Sequence, residues 1–191
     1  ARNGSSDRTM KLGRFVVDTH VHAQRHAVRF QSSDEEEEYS RLGELMHTAV
    51  PGQEADEDDA VIVYDNSERL LYDMDQYGVH MCVLLPAFGM TNEINRQIVE
   101  AHPDKFVACA YPVQTKKKAL RGEEEWTVEA AVEELDEVLS WDGFVGIGEF
   151  LPHDPNLEER MTWRERKEQL RPFFDVAADH DVPIRWHPGA A

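Results

Sequence analysis

A chain of 191 residues is long enough to bury a sizeable core, and one compact domain is the default at this length. Its 41% hydrophobic content reads as globular, and no apolar run approaches the roughly 18 residues of a membrane span. The formal net charge of −18 disfavours nucleic acid and anionic membrane as partners, since both are polyanions.

Ala1 to Met10 is polar and lacks the apolar stretch of a signal peptide, so residues 1–13 are expected to be a flexible N-terminal segment. Arg14 to Asp18 reads as a strand ending on His20 and His22. On an extended chain positions i and i+2 share a face, so Asp18, His20 and His22 point together. Two imidazoles spaced about 6.5–7 Å apart at the backbone can lean together onto one divalent metal. The pattern is short, and a pair of edge-strand histidines without a ligand reads the same way.

From about residue 24 to 63 runs a polar insert with few periodic apolar positions, expected to be a functional or mobile loop, such as a lid over a site. It carries the acidic runs Asp34–Glu38 and Glu54–Asp59, read as solvated because the glycine-punctuated spacing of a calcium loop is missing. Asp65 and Glu68 have the spacing of a capping box. Leu70, Leu71, Met74 and Tyr77 follow at helical spacing, and Gly78 stops the helix. Val79 to Leu85 reads as a strand buried on both faces.

The unit then repeats. Thr91 to Ala101 is helical, with Ile94, Ile98 and Ala101 on one stripe, and Phe106 to Tyr111 is the next strand. Lys116-Lys117-Lys118 reads as a solvated loop run. Thr127 to Ser140 is helical through Val132, Leu135, Val138 and Leu139, and Phe144 to Phe150 is a strand carrying Gly146, Gly148 and Glu149. Thr162 and Glu165 form a second capping box, opening a helix whose Leu170, Phe173, Phe174 and Ala177 share a face. Pro172 is expected to kink or split that helix. Val182 to His187 is the last strand. Cys82 and Cys109 sit in apolar strand-like runs and read as reduced, buried thiols of a cytoplasmic protein.

This alternation of strand and helix predicts a parallel α/β sheet, either open and doubly wound or closed as a barrel. No Gly-x-Gly-x-x-Gly or P-loop follows the first strand, which counts against nucleotide-binding versions. His20, His22, Glu149 and His187 all fall at strand ends, which converge on one face in a (β/α)8 barrel.

On these residues the chain resembles the amidohydrolase superfamily, specifically the amidohydrolase-2 group of metal-dependent hydrolases and non-oxidative decarboxylases such as aminocarboxymuconate-semialdehyde decarboxylase. The resemblance is carried by Val17–His22, His102–Phe106, Gly146–Glu149 and Pro183–Gly189, in order along the chain from Phe15 onward. It implies a TIM-type (β/α)8 barrel, of which residues 14–191 cover about strands one to five. It implies a divalent metal held by His20, His22 and His187, with zinc the first expectation and manganese or iron the alternatives. Glu149 would bridge two metals in a dinuclear site, or hydrogen-bond to a ligand in a mononuclear one.

A histidine after strand six and an aspartate after strand eight complete such sites, and neither has a counterpart here. The rest of the barrel is therefore expected from a longer chain or a partner chain, and a homodimer is the ordinary assembly for a barrel enzyme. The implied activity is metal-dependent hydrolysis or carbon–carbon lysis (decarboxylation) of a small organic substrate, carboxylated in the second case. His153 and His26, in loops near the site, are candidate acid–base or substrate-binding groups. Arg185 is expected to point toward the helices in an ion pair, and His80, His102 and His180 to be structural. Cys109 and Tyr111 are candidates to line the pocket. Two alternatives stay open: a dinuclear oxygenase on the same scaffold, and a non-catalytic metal-binding or scaffold protein.

Overall fold

The computed structural model describes residues 14–28, 48–49, 61–86, 91–150 and 162–186. Its strands, in chain order, are β1 (Val17–Val21), β2 (Gln24–Val28), β3 (Thr48–Ala49), β4 (Val61–Asp65), β5 (Met81–Leu84), β6 (Phe106–Ala110), β7 (Phe144–Phe150) and β8 (Ile184–Trp186). The helices are α1 (Ser67–Tyr77), α2 (Asn92–Ala101), α3 (Val113–Leu120), α4 (Val128–Leu139) and α5 (Trp163–Asp179). The segment at residues 1–13 and both acidic runs lie outside the described residues.

The main sheet is parallel throughout, with order β1-β5-β6-β7-β8. Each strand joins on the far side of the one before it, so the order lacks the reversal of a doubly wound sheet. The sheet is also strongly curled. In a flat sheet β1 and β8 would stand four strand spacings, or about 19 Å, apart. Instead Arg185 on β8 bonds directly to the Thr19 carbonyl on β1. Only a sheet bent into part of a barrel brings its two edges within reach of one side chain.

Both ends of the expected loop at residues 24–63 are strands. β2 pairs antiparallel with β4, and β3 pairs parallel with β4, in a separate three-stranded sheet. The overlooked signal is Val61-Ile62-Val63-Tyr64, a β-branched and aromatic run straddling the assumed end of the insert. β1 begins later than Arg14, because its ladder to β5 starts at Val17↔Met81, and so His20 lies within the strand. On β5, Cys82 and Leu84 are buried while Met81 and Val83 are only half-buried, so the strand is not covered equally on both faces.

Helix boundaries follow local chemistry in some places and tertiary partners in others. α5 opens with a complete capping box. Thr162 Oγ1 accepts from the Glu165 N–H, and Glu165 returns a carboxylate oxygen to the Thr162 N–H at 2.9 Å. At α1 the expected box is absent: Asn66 is the N-cap, and Asp65 accepts the Ser67 N–H at 2.6 Å instead. α5 also runs unbroken through Pro172. A helical proline costs about 3 kcal/mol, whereas burying side chains such as Leu170, Phe173 and Val176 stabilises by about 1.5–3 kcal/mol each. The buried stripe centres on Phe173, and Phe174, about 100° further round the helix, is exposed. Along α2 the stripe is Ile94, Asn95, Ile98 and Val99, with Ala101 exposed.

Lys116, Lys117 and Lys118 lie on α3 rather than in a loop. The start of α3 is capped from a distance by Glu134 on α4, whose two oxygens accept the N–H groups of Gln114 (2.8 Å) and Thr115 (2.7 Å). Burial raises the Glu134 carboxyl above its ordinary value, against the downward pull of those bonds. Lys116 is half-buried, its ammonium 5.7 Å from the centre of the Tyr111 ring, and burial lowers its pKa. Glu134→Ala is expected to lower stability by about 1–3 kcal/mol, because it leaves two N–H groups without their acceptor. Urea denaturation at pH 7 measures this, and a loss under about 0.5 kcal/mol would show that water replaces the carboxylate.

Candidate metal centre

β1 carries His20 near its end, and His22 follows one residue beyond Val21. The extended backbone turns both imidazoles to one side, with Nε2 atoms 3.3 Å apart and rings edge-to-face at 84°. Glu149, next to last on β7, brings Oε1 to 3.4 Å from His20 Nε2. Three strand spacings separate β1 from β7 along the sheet, so this approach is a product of the curl. His20 Nε2, His22 Nε2 and a Glu149 oxygen all lie within 4.8 Å of one another. Tetrahedral ligands about 2.0–2.1 Å from zinc are separated by about 3.3–3.4 Å, which is the spacing found here between His20 and its two neighbours.

The surroundings set the ring orientations. His22 Nδ1 donates to the Leu85 carbonyl at 2.8 Å, which leaves the Nε2 lone pair facing Glu149 and His20. Asp18 shares the strand, but its carboxylate accepts the His20 backbone N–H at 3.0 Å and stays outside the converging group. The donor set of two imidazoles and a carboxylate suits a divalent zinc, manganese or iron ion.

Arg185 does not point toward the helices. It donates from Nη1 to the Thr19 carbonyl and from Nη2 to His20 Nδ1 at 3.0 Å. The curl of the sheet brings β1 within reach, so the guanidinium finds its partners on that strand. Gly148 makes room for it: a Cβ there would stand 2.7 Å from Arg185 Cβ and 3.2 Å from its carbonyl oxygen.

His187 and His153 lie outside the described residues. His26 is not in a loop; its backbone is part of β2, opposite Val63, and its side chain is outside the described residues. Cys109 and Cys82 are buried free thiols, both pushed up to about 11 by burial, so neither is a thiolate at neutral pH. Tyr111 is likewise pushed up to about 12 by burial. Among the described residues, His80, His102 and His180 stand outside the converging group. His80 Nδ1 accepts the Val16 N–H, His102 packs edge-on to Phe106, and His180 pairs with Asp136 at 2.7 Å.

The sequence reading missed a buried polar layer just beyond His22. Gln24 donates to the Thr91 carbonyl (2.9 Å) and to Asn95 Oδ1 (2.8 Å), and accepts the Thr91 N–H (2.9 Å). Asn92 clamps the backbone of Tyr111 through both ends of its amide. Asn92, Asn95 and Val99 at i, i+3 and i+7 form a buried stripe, and that spacing of two asparagines with an apolar residue was the available clue.

No protein-family model matches the chain, and no curated protein matches it in sequence. The helices in the described residues include none long and apolar enough to cross a membrane.

Proposed function

We propose that the chain forms about the first five strands of a TIM-type (β/α)8 barrel of the amidohydrolase superfamily, in its amidohydrolase-2 group. Its activity is metal-dependent hydrolysis or carbon–carbon lysis of a small organic substrate. The observation that carries this reading is the convergence of His20, His22 and Glu149 at the C-terminal ends of β1 and β7. The C-terminal face is where TIM-barrel sites are built. The unreversed strand order and the bond across the sheet from Arg185 to Thr19 support the barrel.

In this reading His20, His22 and His187 hold the cation, and Glu149 binds it or a neighbouring ligand. A divalent ion there supplies Lewis-acid polarisation of a substrate oxygen and lowers the pKa of water toward ~7. The Leu85 carbonyl keeps His22 in the ligating tautomer. Glu149 stands where a carboxylate can hold a proton during either chemistry, and His153 and His26 are the remaining acid–base candidates. The buried thiols fit a cytoplasmic protein. A homodimer and the remaining barrel strands are the expected assembly.

Elemental mass spectrometry on protein purified without added metal tests the reading. About one equivalent of zinc or manganese per chain is expected, lost in His20→Ala and His22→Ala. Side chains this exposed (40% for His20) are expected to change stability by less than about 0.5 kcal/mol on truncation. Two equivalents, especially of iron, would make Glu149 a bridge and move the chemistry to a dinuclear centre. Wild-type protein without metal would sink the proposal.

A further inference from the structure

A guanidinium has five N–H donors and no acceptor. In the 3.0 Å contact between Arg185 Nη2 and His20 Nδ1, the imidazole nitrogen is therefore the acceptor. A neutral His20 ring so held carries its proton on Nε2, the atom aimed at His22 Nε2 and Glu149 Oε1. A protonated ring nitrogen has no lone pair for a metal. His22 has the opposite arrangement, with Nδ1–H on the Leu85 carbonyl and its Nε2 lone pair turned to the converging group. Metal-binding histidines almost always give their other N–H to a carbonyl, a carboxylate or water. His22 conforms, and His20, facing a group that cannot accept, does not.

We propose that Arg185 gates the metal centre: His20 ligates only after the guanidinium gives up its Nδ1, so a cation binds against that contact. A carboxylate on the incoming ligand that draws Arg185 away frees the His20 imidazole for the site. This rests on the metal reading of His20, His22 and Glu149 given above. The planar guanidinium pairs with a carboxylate through two parallel charge-assisted bonds, a better partner than the neutral ring nitrogen and backbone carbonyl it now holds. Cation and carboxylate then bind with positive coupling, each raising the other's affinity by the same factor.

Zinc affinity of the full chain, by calorimetry, and the tautomer of His20, by ¹⁵N NMR of the imidazoles, test the gate. Wild-type protein without metal is expected to show His20 protonated on Nε2, and His22 on Nδ1. Arg185→Gln withdraws the donor from His20 Nδ1 and leaves that nitrogen free to carry the proton. It is expected to move the His20 proton to Nδ1 and to tighten zinc binding by about 10–100-fold, the range for such supporting partners. Benzoate is expected to tighten zinc binding to the wild type and to leave Arg185→Gln unchanged.

A wild-type His20 already protonated on Nδ1 overturns the gate, and this holds even if Arg185→Gln fails to fold. Tighter zinc binding without the tautomer change also overturns it, since loss of a nearby positive charge would then be enough. Benzoate without effect on the wild type overturns the carboxylate as its release. Zinc binding that His22→Ala weakens but Arg185→Gln leaves alone defeats the gate only. Zinc binding that His22→Ala does not weaken defeats the metal centre itself.

Discussion

Phe106→Ala is expected to lower the free energy of unfolding by about 3–5 kcal/mol, the range for truncating a fully buried aromatic ring. Phe106 is 0% exposed and opens β6, the middle strand of five. It lies opposite Cys82 in the ladder to β5, and the His102 ring meets it edge-on at 6.1 Å. A domain of this size is commonly stable by about 5–15 kcal/mol, so the variant loses a large fraction of that margin. Urea denaturation followed by circular dichroism measures it. A loss below about 2 kcal/mol would show that the interior closes over the missing ring.

Gly148→Ala is expected to destabilise by about 1–3 kcal/mol, the cost of forcing an extra methyl into a filled space. In an ordinary strand this substitution favours folding by about 0.5–1 kcal/mol, since glycine loses more entropy on ordering. Packing reverses the sign here. The new Cβ would meet Arg185 Cβ at 2.7 Å and the Arg185 carbonyl at 3.2 Å, and a backbone oxygen cannot swing aside as a side chain does. β8 must shift, and Arg185 moves away from His20 with it. The loss should therefore come with a change in the His20 imidazole signals, while the His22–Leu85 bond on the other side of the site is left in place. Full wild-type stability in this variant would show that β7 and β8 are not so closely packed.

Most elements were legible because their signals are local. The apolar periods of α2, α4 and α5, the stop at Gly78 and the Thr162–Glu165 box each lie within a few residues of the feature they specify. The errors have local causes too. The apolar run of β4 was cut by an insert boundary drawn at Val63, and Asp65 gave its carboxylate to the nearest N–H rather than to a cap. α3 reads as a loop from sequence because its three lysines look solvated, while the group that caps it, Glu134, lies about twenty residues further along.

For the site, the candidates are legible in the chain: an HxH at the end of the first strand, a glutamate near the end of a later one, and the parallel alternation that sends both ends to one face. These follow from strand parity and element order, which are properties of short segments. The meeting of His20, His22 and Glu149, and the closing of Arg185 on His20 in place of an outward ion pair, come from the folded sheet. Those contacts join residues more than a hundred positions apart and depend on the curl and register of the sheet. Both are set by packing across the whole core, so no local pattern in the chain records them.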